Sequence, residues 1–336
     1  MKPQLRINNP AALDFEVIEK ELLSGKHVII QFVSPGYSEL ILSQLNDLCR
    51  KYDHNFGIRF YGHYSGSFDF NVLLRLPCVK CLYVDCLVRA ENVQAIAELT
   101  QLEELSLGVF ELSETGILRF ENLKRLRKLI LGETRTKALD LIHIKDYKNL
   151  SHLTVNGHTK NIEAIGELSE LEYLSFNSIR KTPVPFVNRL KKLKTLKFIL
   201  GGRADILEIT ENSIEELEIV WVRGFNNLDN ISNFRKLKRL RIEDNIQLQE
   251  LHFTEEFPQL TDLRILNCKT LNSLTGLGHL TALFQLRIYK TNLAFQEIIN
   301  QNLPKTLQVF SFVTAKKKID EVTAADLQRR GYRNKV

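Results

Sequence analysis

The residues whose types and spacing come nearest to a chemical site in this 336-residue chain are Cys78-x-x-Cys81 and Cys86, since thiolates so spaced can hold zinc. Strand register opposes such a site. It puts Cys81 on the open face of a strand and Cys86 at the rim, with Cys78 before the strand, so the three thiols point apart. Ordinary reduced thiols are the reading, with no metal and no cofactor. Ser24-Gly25-Lys26 lacks the upstream glycine of a phosphate loop, and Gly62-His63-Tyr64-Ser65-Gly66 is not a hydrolase elbow. The eight histidines are scattered, none in a metalloprotease pair. No catalytic residue emerges, so the chain is not expected to be an enzyme.

Composition narrows the class further. With 44% hydrophobic residues the chain can bury a sizeable core unaided. Its start, carrying Lys2, Arg6, Asp14, Glu16, Glu19 and Lys20, has no apolar leader, and no later run is long enough to span a membrane. Five cysteines, odd in number and clustered early, do not resemble a secreted disulfide framework, so a cytoplasmic, monomeric protein with no membrane attachment is expected. A net charge of +6, from 46 basic and 40 acidic residues, describes a surface densely charged in both signs, which admits an acidic partner without requiring one.

The elements that must position any functional residue are repeats. The apolar pattern Φ-x-x-Φ-x-Φ recurs eleven times, from Val79-Leu82-Val84 through Leu102-Leu105-Leu107 and Leu193-Leu196-Phe198 to Leu307-Phe310-Phe312. Successive units start 21 to 24 residues apart. The last two apolar positions, two apart, make a short strand with one buried and one wet side. Beyond the strands, Phe225, Leu228, Ile231 and Phe234, like Leu271, Leu274, Leu277 and Leu280, recur every third residue, as tight helical turns require.

This pattern resembles the leucine-rich-repeat superfamily, nearest its internalin-like and phosphatase-regulator-like classes, over roughly Leu76 to Thr314. The resemblance implies an α/β solenoid with a curved parallel sheet on its concave face and short helical turns or loops on its convex face. It also implies action through partners rather than chemistry. A narrower form is an inhibitor, an immunity protein or a regulatory subunit. The consensus asparagine survives at Asn245, with Cys268 and Thr291 as substitutes, but His158, Gly201, Val222 or Phe110 stands there elsewhere, so those turns must be held differently.

Three regions follow: a capping region 1–75, repeats 76–314, and a C-terminal cap and tail 315–336. An α-β-α-β cap is expected at the start. Its first helix carries Phe15, Ile18, Leu22 and Leu23 and closes at Gly25; after a strand at Val28 to Val33, a second helix turns Leu40, Ile41, Leu45 and Leu48 inward, and Gly57 to Tyr61 returns as a strand. A short helix at Ala324 to Arg330 is expected at the far end, beyond a solvated Lys316-Lys317-Lys318.

Register also predicts the surface. Positions two, four and six after the first leucine face the concave side, a strip on the order of 50 Å long at a strand spacing of about 4.8 Å. One column stacks Lys197, Glu218, Arg241, Arg264 and Arg287. Like charges about 5 Å apart repel by roughly 3 kcal/mol at an effective dielectric of 20, so carboxylates must offset them, whether from Glu216, Glu218, Glu243 and Asp262 or from a partner. Tyr289 beside Arg287 favours a partner. A second patch holds Arg59, Tyr61, Tyr83 and Asp85, with His63 and Tyr64 following at the rim; cap packing is its plainer alternative. A third set, Arg135, Lys160, Arg180, Arg203, Arg223 and Lys269, lines the rim with Trp221, where a solvated edge is the plainer explanation. The expected function is therefore binding of another protein, with an acidic surface, through the concave face. Nucleic-acid or polyanion binding through the basic rim is the alternative.

Overall fold

The computed structural model describes residues 3–63, 66–135 and 138–333. The chain divides into two compact units, Met1–Leu171 and Glu172–Val336. In the first, strand β1 (Gln4–Asn8) leads through helix α1 (Phe15–Leu23), β2 (His27–Phe32) and helix α2 (Glu39–Lys51) to β3 (Phe56–Gly62). Then come β4 (Phe68–Asp69), β5 (Cys81–Leu87), β6 (Ala90–Glu91), β7 (Glu104–Val109), β8 (Lys128–Leu131) and β9 (His152–Asn156). The main strands lie in the order β1-β2-β3-β5-β7-β8-β9, while β4 and β6 pair with each other. Every pair is parallel.

The second unit repeats the plan. Its main strands are β10 (Tyr173–Asn177), β11 (Thr195–Ile199), β12 (Glu216–Val220) and β13 (Arg239–Glu243). After a short β14 (Glu250–His252), they continue with β15 (Asp262–Leu266), a short β16 (Ser273–Thr275), β17 (Gln285–Tyr289) and, beyond helix α3 (Phe295–Ile299), β18 (Val309–Val313). Helix α4 (Lys317–Arg329) follows, and beyond it Arg333 pairs in parallel with Val309 of β18. The order is β10-β11-β12-β13-β15-β17-β18, again parallel throughout.

Parallel sheets are ordinarily covered on both faces. Some strands here, β2 and β18 among them, are buried on both faces, but along β11 to β17 the main strands bury one face only, where the return path is a tight 3-10 turn such as Asp229–Asn233. In β11, β12, β13, β15 and β17 the second and fourth residues are buried and their neighbours reach solvent, as the apolar spacing predicts. Phe225, Leu228, Ile231 and Phe234 are buried too, as are Leu271, Leu274, Leu277 and Leu280.

The turns are held by side chains that take up backbone groups where repeats stack. Asn245 donates to the carbonyls of Ile219 (2.8 Å) and Glu243 (2.9 Å) and accepts from Val222 N–H (3.1 Å). Cys268 occupies the equivalent place one repeat later, its thiol facing the Ile242 and Leu266 carbonyls at 3.8 and 3.4 Å. His158 solves the same problem with a ring: Nδ1 accepts from Leu139 N–H at 3.1 Å, leaving Nε2 to donate to the Gly132 carbonyl at 2.8 Å. On the turn side, Asn122 donates to the Ile96 and Leu99 carbonyls, and Asn230 to those of Ile206 and Ile209. The spacing of the apolar pattern gives no hint of these two.

Several expectations for the ends need correction. β1 precedes the expected first helix and pairs along β2. Its residues alternate exposed and half-buried, so backbone pairing at a sheet edge, rather than an apolar run, makes it a strand. In α1, capped by Asp14, only Ile18 and Leu22 are buried; Phe15 is 37% and Leu23 81% exposed. In α2, capped by Ser38, the buried stripe is Ile41, Leu42, Leu45, Leu48 and Cys49, and Leu40 turns outward. One residue rotates a side chain by about 100° around a helix, which carries Leu23 off the face that buries Leu22 and Leu40 off the face that buries Ile41. The last helix begins at Lys317 rather than Ala324, so Lys317 and Lys318 are exposed residues of its first turn.

Candidate partner-binding surface

On the open face of the second unit, backbone pairing brings Lys197, Glu218, Arg241, Arg264 and Arg287 into one row, followed by Ser311. Most of these charges have partners within the sheet. Lys197 Nζ lies 3.0 Å from Glu218 and 3.8 Å from Glu216. Arg241 is bound by Glu243, two residues along its own strand, with Glu218 at 3.9 Å. Asp262 grips Arg264 with both oxygens, Nε to Oδ1 at 3.0 Å and a terminal nitrogen to Oδ2 at 2.6 Å. That hydrogen bond raises the Arg264 pKa against the cost of burial. Burial opposes the charge on Glu216, but the hydrogen bond from Arg239, with Lys197 nearby, outweighs it and holds the carboxyl below its ordinary value.

Arg287 differs. It is half-buried, its flanking residues on β17 are Gln285 and Tyr289, and its row neighbour on β18 is Ser311. Asp262, the acid on the adjoining strand, already accepts from Arg264 and from Gln285. Among the described residues no carboxylate pairs with Arg287, and its Nε is buried with no acceptor. Tyr289, half-buried beside it, lies under the Lys290 ammonium at 4.9 Å.

The first unit treats its patch differently. Arg59 Nε donates to Asp85 Oδ1 at 2.7 Å, its guanidinium lies 4.4 Å over the Tyr61 ring, and Ser106 donates to the other Asp85 oxygen at 3.1 Å. Tyr83 is half-buried, its hydroxyl 3.4 Å from His27 Nε2 and within reach of the Cys81 thiol, and burial pushes its pKa up. These four residues engage one another and the neighbouring strands. His63, placed at the rim by register, is buried, with Nδ1 2.9 Å from the Tyr61 carbonyl and its ring edge-on to Phe68. Tyr64 lies outside the described residues.

The rim cations fall into two kinds. Lys160 pairs with Asp140 at 2.8 Å, Arg135 reaches Glu111 at 4.0 Å, and Arg203 is bound by Glu208 and stacked on Phe198 at 4.6 Å. Arg180, Arg223 and Lys269 have no carboxylate partner among the described residues, and neither does Lys181, which the sequence pattern does not single out. Trp221 is 65% exposed. A cavity of about 1120 Å³ opens at this rim, lined by Arg180, Lys181, Leu200, Gly202, Arg203 and Arg223 among others.

The thiols are dispersed. Cys81 is buried against Tyr83 and Glu104, and burial pushes its thiol pKa up; Cys86 is exposed, in a left-handed conformation where the register of β5 shifts. Burial likewise pushes Cys49 up to about 12 and Cys268 up to about 11. Among the described residues, no three His, Cys, Asp or Glu side chains converge as a metal site, and no helix is long and apolar enough to cross a membrane.

A long parallel sheet whose successive strands repeat one apolar pattern at intervals of 21 to 24 residues, with tight 3-10 turns on the return path, defines a leucine-rich-repeat fold. One solved structure agrees at a TM-score above 0.5. An internalin from Listeria monocytogenes is 18% identical, with 93% of this chain and 87% of that chain covered and a TM-score of 0.53. The functional domain of InlJ from the same organism is 17% identical over 86% of this chain and 68% of that chain, at a TM-score of 0.44. The mouse RP105/MD-1 complex matches at 14% identity over 92% of this chain and 63% of that chain, at 0.43. At such identities the likeness extends to the fold and no further. No family model matches the sequence, and no curated protein does either.

Proposed function

We propose that the chain is a non-catalytic binding module that holds a partner protein on the open face of its second unit, where Lys197, Arg241, Arg264, Arg287 and Tyr289 meet an acidic surface. The observation that carries this reading is Arg287, whose buried Nε has no acceptor in a row where the other cations are provided for. A buried donor without an acceptor costs free energy, and a partner carboxylate would supply what the sheet withholds. Tyrosine and arginine side by side are also the residue types that concentrate binding energy at interfaces.

Arg59, Tyr61, Tyr83 and Asp85 carry less weight within this reading, because their polar atoms are largely spent on each other. The regions 1–75 and 315–336 are taken as caps, and the free cysteines suit a cytoplasmic setting. Polyanion binding along the rim is disfavoured by the carboxylates already bound to Lys160 and Arg203.

The test is charge reversal. Arg264→Glu with Arg287→Glu should abolish capture of the protein that co-purifies from the native host while the melting temperature stays near wild type. Undiminished capture would defeat the reading, and loss of folding would make the row an internal ion network instead. Salt-dependent affinity for mixed-sequence DNA or RNA would favour the rim alternative.

A further inference from the structure

The rim of the second unit carries a column of residues directly after the strands, all in the left-handed backbone region: Ser178, Leu200, Trp221, Asp244, Asn267 and Lys290, with φ between 52° and 59°. Each donates its N–H to the last strand residue of the next repeat, as Leu200 does to the Val220 carbonyl and Trp221 to that of Glu243. The geometry is therefore imposed by the stacking of repeats, whatever side chain is present. Asparagine and aspartate tolerate this region, as Asn267 and Asp244 illustrate; large apolar residues are outliers there. Leu200 and Trp221 nonetheless occupy adjacent places in the column and are 43% and 65% exposed. Backbone strain and exposed apolar surface coincide at two neighbouring positions where neither packing nor the backbone asks for a large side chain.

Leu200 lines the rim cavity of about 1120 Å³, and Trp221 stands at the next place in the column, two residues before the lining residue Arg223. The cavity floor depends on two glycines. A Cβ on Gly201, whose φ is +80°, would sit 2.2 Å from the Ile179 carbonyl oxygen, and one on Gly202 would sit 3.3 Å from that of Arg223. Gly202 pairs in parallel with Arg180 on one side and Arg223 on the other, so two arginines flank a residue with no side chain. The carboxylates of the cavity are already committed: Glu208 accepts from Arg203 and from Val184 N–H, and Asp205 from Leu207 N–H. Arg203 is thereby turned inward. Arg180, Lys181 and Arg223 remain exposed and without a carboxylate partner among the described residues.

We propose that this cleft, separate from the open-face row, is a docking site for a protein segment that seats an acidic side chain between Arg180 and Arg223 and lays an aromatic or aliphatic side chain on Leu200 and Trp221. The planar guanidinium groups suit a carboxylate, and the apolar pair beside them suits a neighbouring side chain better than a sugar-phosphate backbone.

The experiment selects a phage-displayed library of random peptides on the full chain. Selected peptides should combine Asp or Glu with Phe, Tyr, Trp or Leu within a few residues. Their affinity should fall by about tenfold or more for Arg180→Ala with Arg223→Ala, and likewise for Leu200→Asn with Trp221→Asn. Because asparagine suits a left-handed backbone, the second pair should melt at or above the wild-type temperature. A lower melting temperature would show the two residues to be structural and overturn the proposal. Failure to enrich such peptides would overturn it as well. Peptides lost only by Arg264→Glu with Arg287→Glu would place binding on the open face, which separates failure here from failure there. Salt-dependent binding of mixed-sequence single-stranded RNA, lost with Arg180 and Arg223 and not competed by any peptide, would make the cleft a nucleic-acid site instead.

Discussion

At the scale of single residues, His158 shows how a repeat position can change chemistry without changing role. Asn245 meets its turn with an amide that donates and accepts, and neutral imidazole does the same through two nitrogens. The imidazole has a condition that the amide lacks. With Nδ1 accepting from Leu139 N–H, a second ring proton would point at another donor, and burial also holds the His158 pKa below the ordinary histidine value of about 6.5. The unfolded chain therefore takes up a proton, as pH falls through about 6.5, that folded His158 declines. The stabilisation is complete above that value and is lost as pH falls toward the folded pKa. The melting temperature should accordingly drop between pH 7 and pH 5, and His158→Asn should make that slope shallower. Some slope should persist, since burial lowers the pKa of His27 and His63 as well. An unchanged slope in the variant would assign the pH dependence to those residues alone.

At the scale of elements, much of the architecture was legible because strand geometry is local. Two apolar residues two apart, repeated at intervals of 21 to 24, suffice to place Leu196 and Phe198, or Leu240 and Ile242, on a buried face. The same register put Lys197, Arg241, Arg264 and Arg287 in one row. It could not say which of them would be paired, because Asp262 is shared between Arg264 and Gln285, a choice made by side-chain conformers across two strands. Nor could it find β1, whose strand character depends on the edge of β2, or the rim cavity, which depends on backbone pairing around Gly202. Helix α4 carries an expectation of its own. Leu327 is fully buried and Thr323 donates to the Phe312 carbonyl, so the helix is anchored on the last strand of the sheet. Leu327→Asp should lower stability by about 3 kcal/mol or more through a buried charge, measured by denaturant unfolding. A loss within about 0.5 kcal/mol would mean that residues 315–336 do not act as a cap.

At the scale of the whole molecule, the second unit presents two surfaces with cations that have no carboxylate partner among the described residues: Arg287 on the open face, and Arg180, Lys181 and Arg223 at the rim. A repeat architecture suits such surfaces, since each strand adds one position to a row and each turn one position to a rim. Binding on the open face rests on Arg287 being left unsatisfied for a partner, and the decisive experiment pairs a melting curve with a titration of the co-purifying protein against Arg287→Ala. The variant should melt at or above the wild-type temperature, because an orphaned buried donor has been removed, and should lose affinity by about tenfold or more. A melting temperature lowered by several degrees with affinity unchanged would refute this and return Arg287 to the structural framework of the sheet.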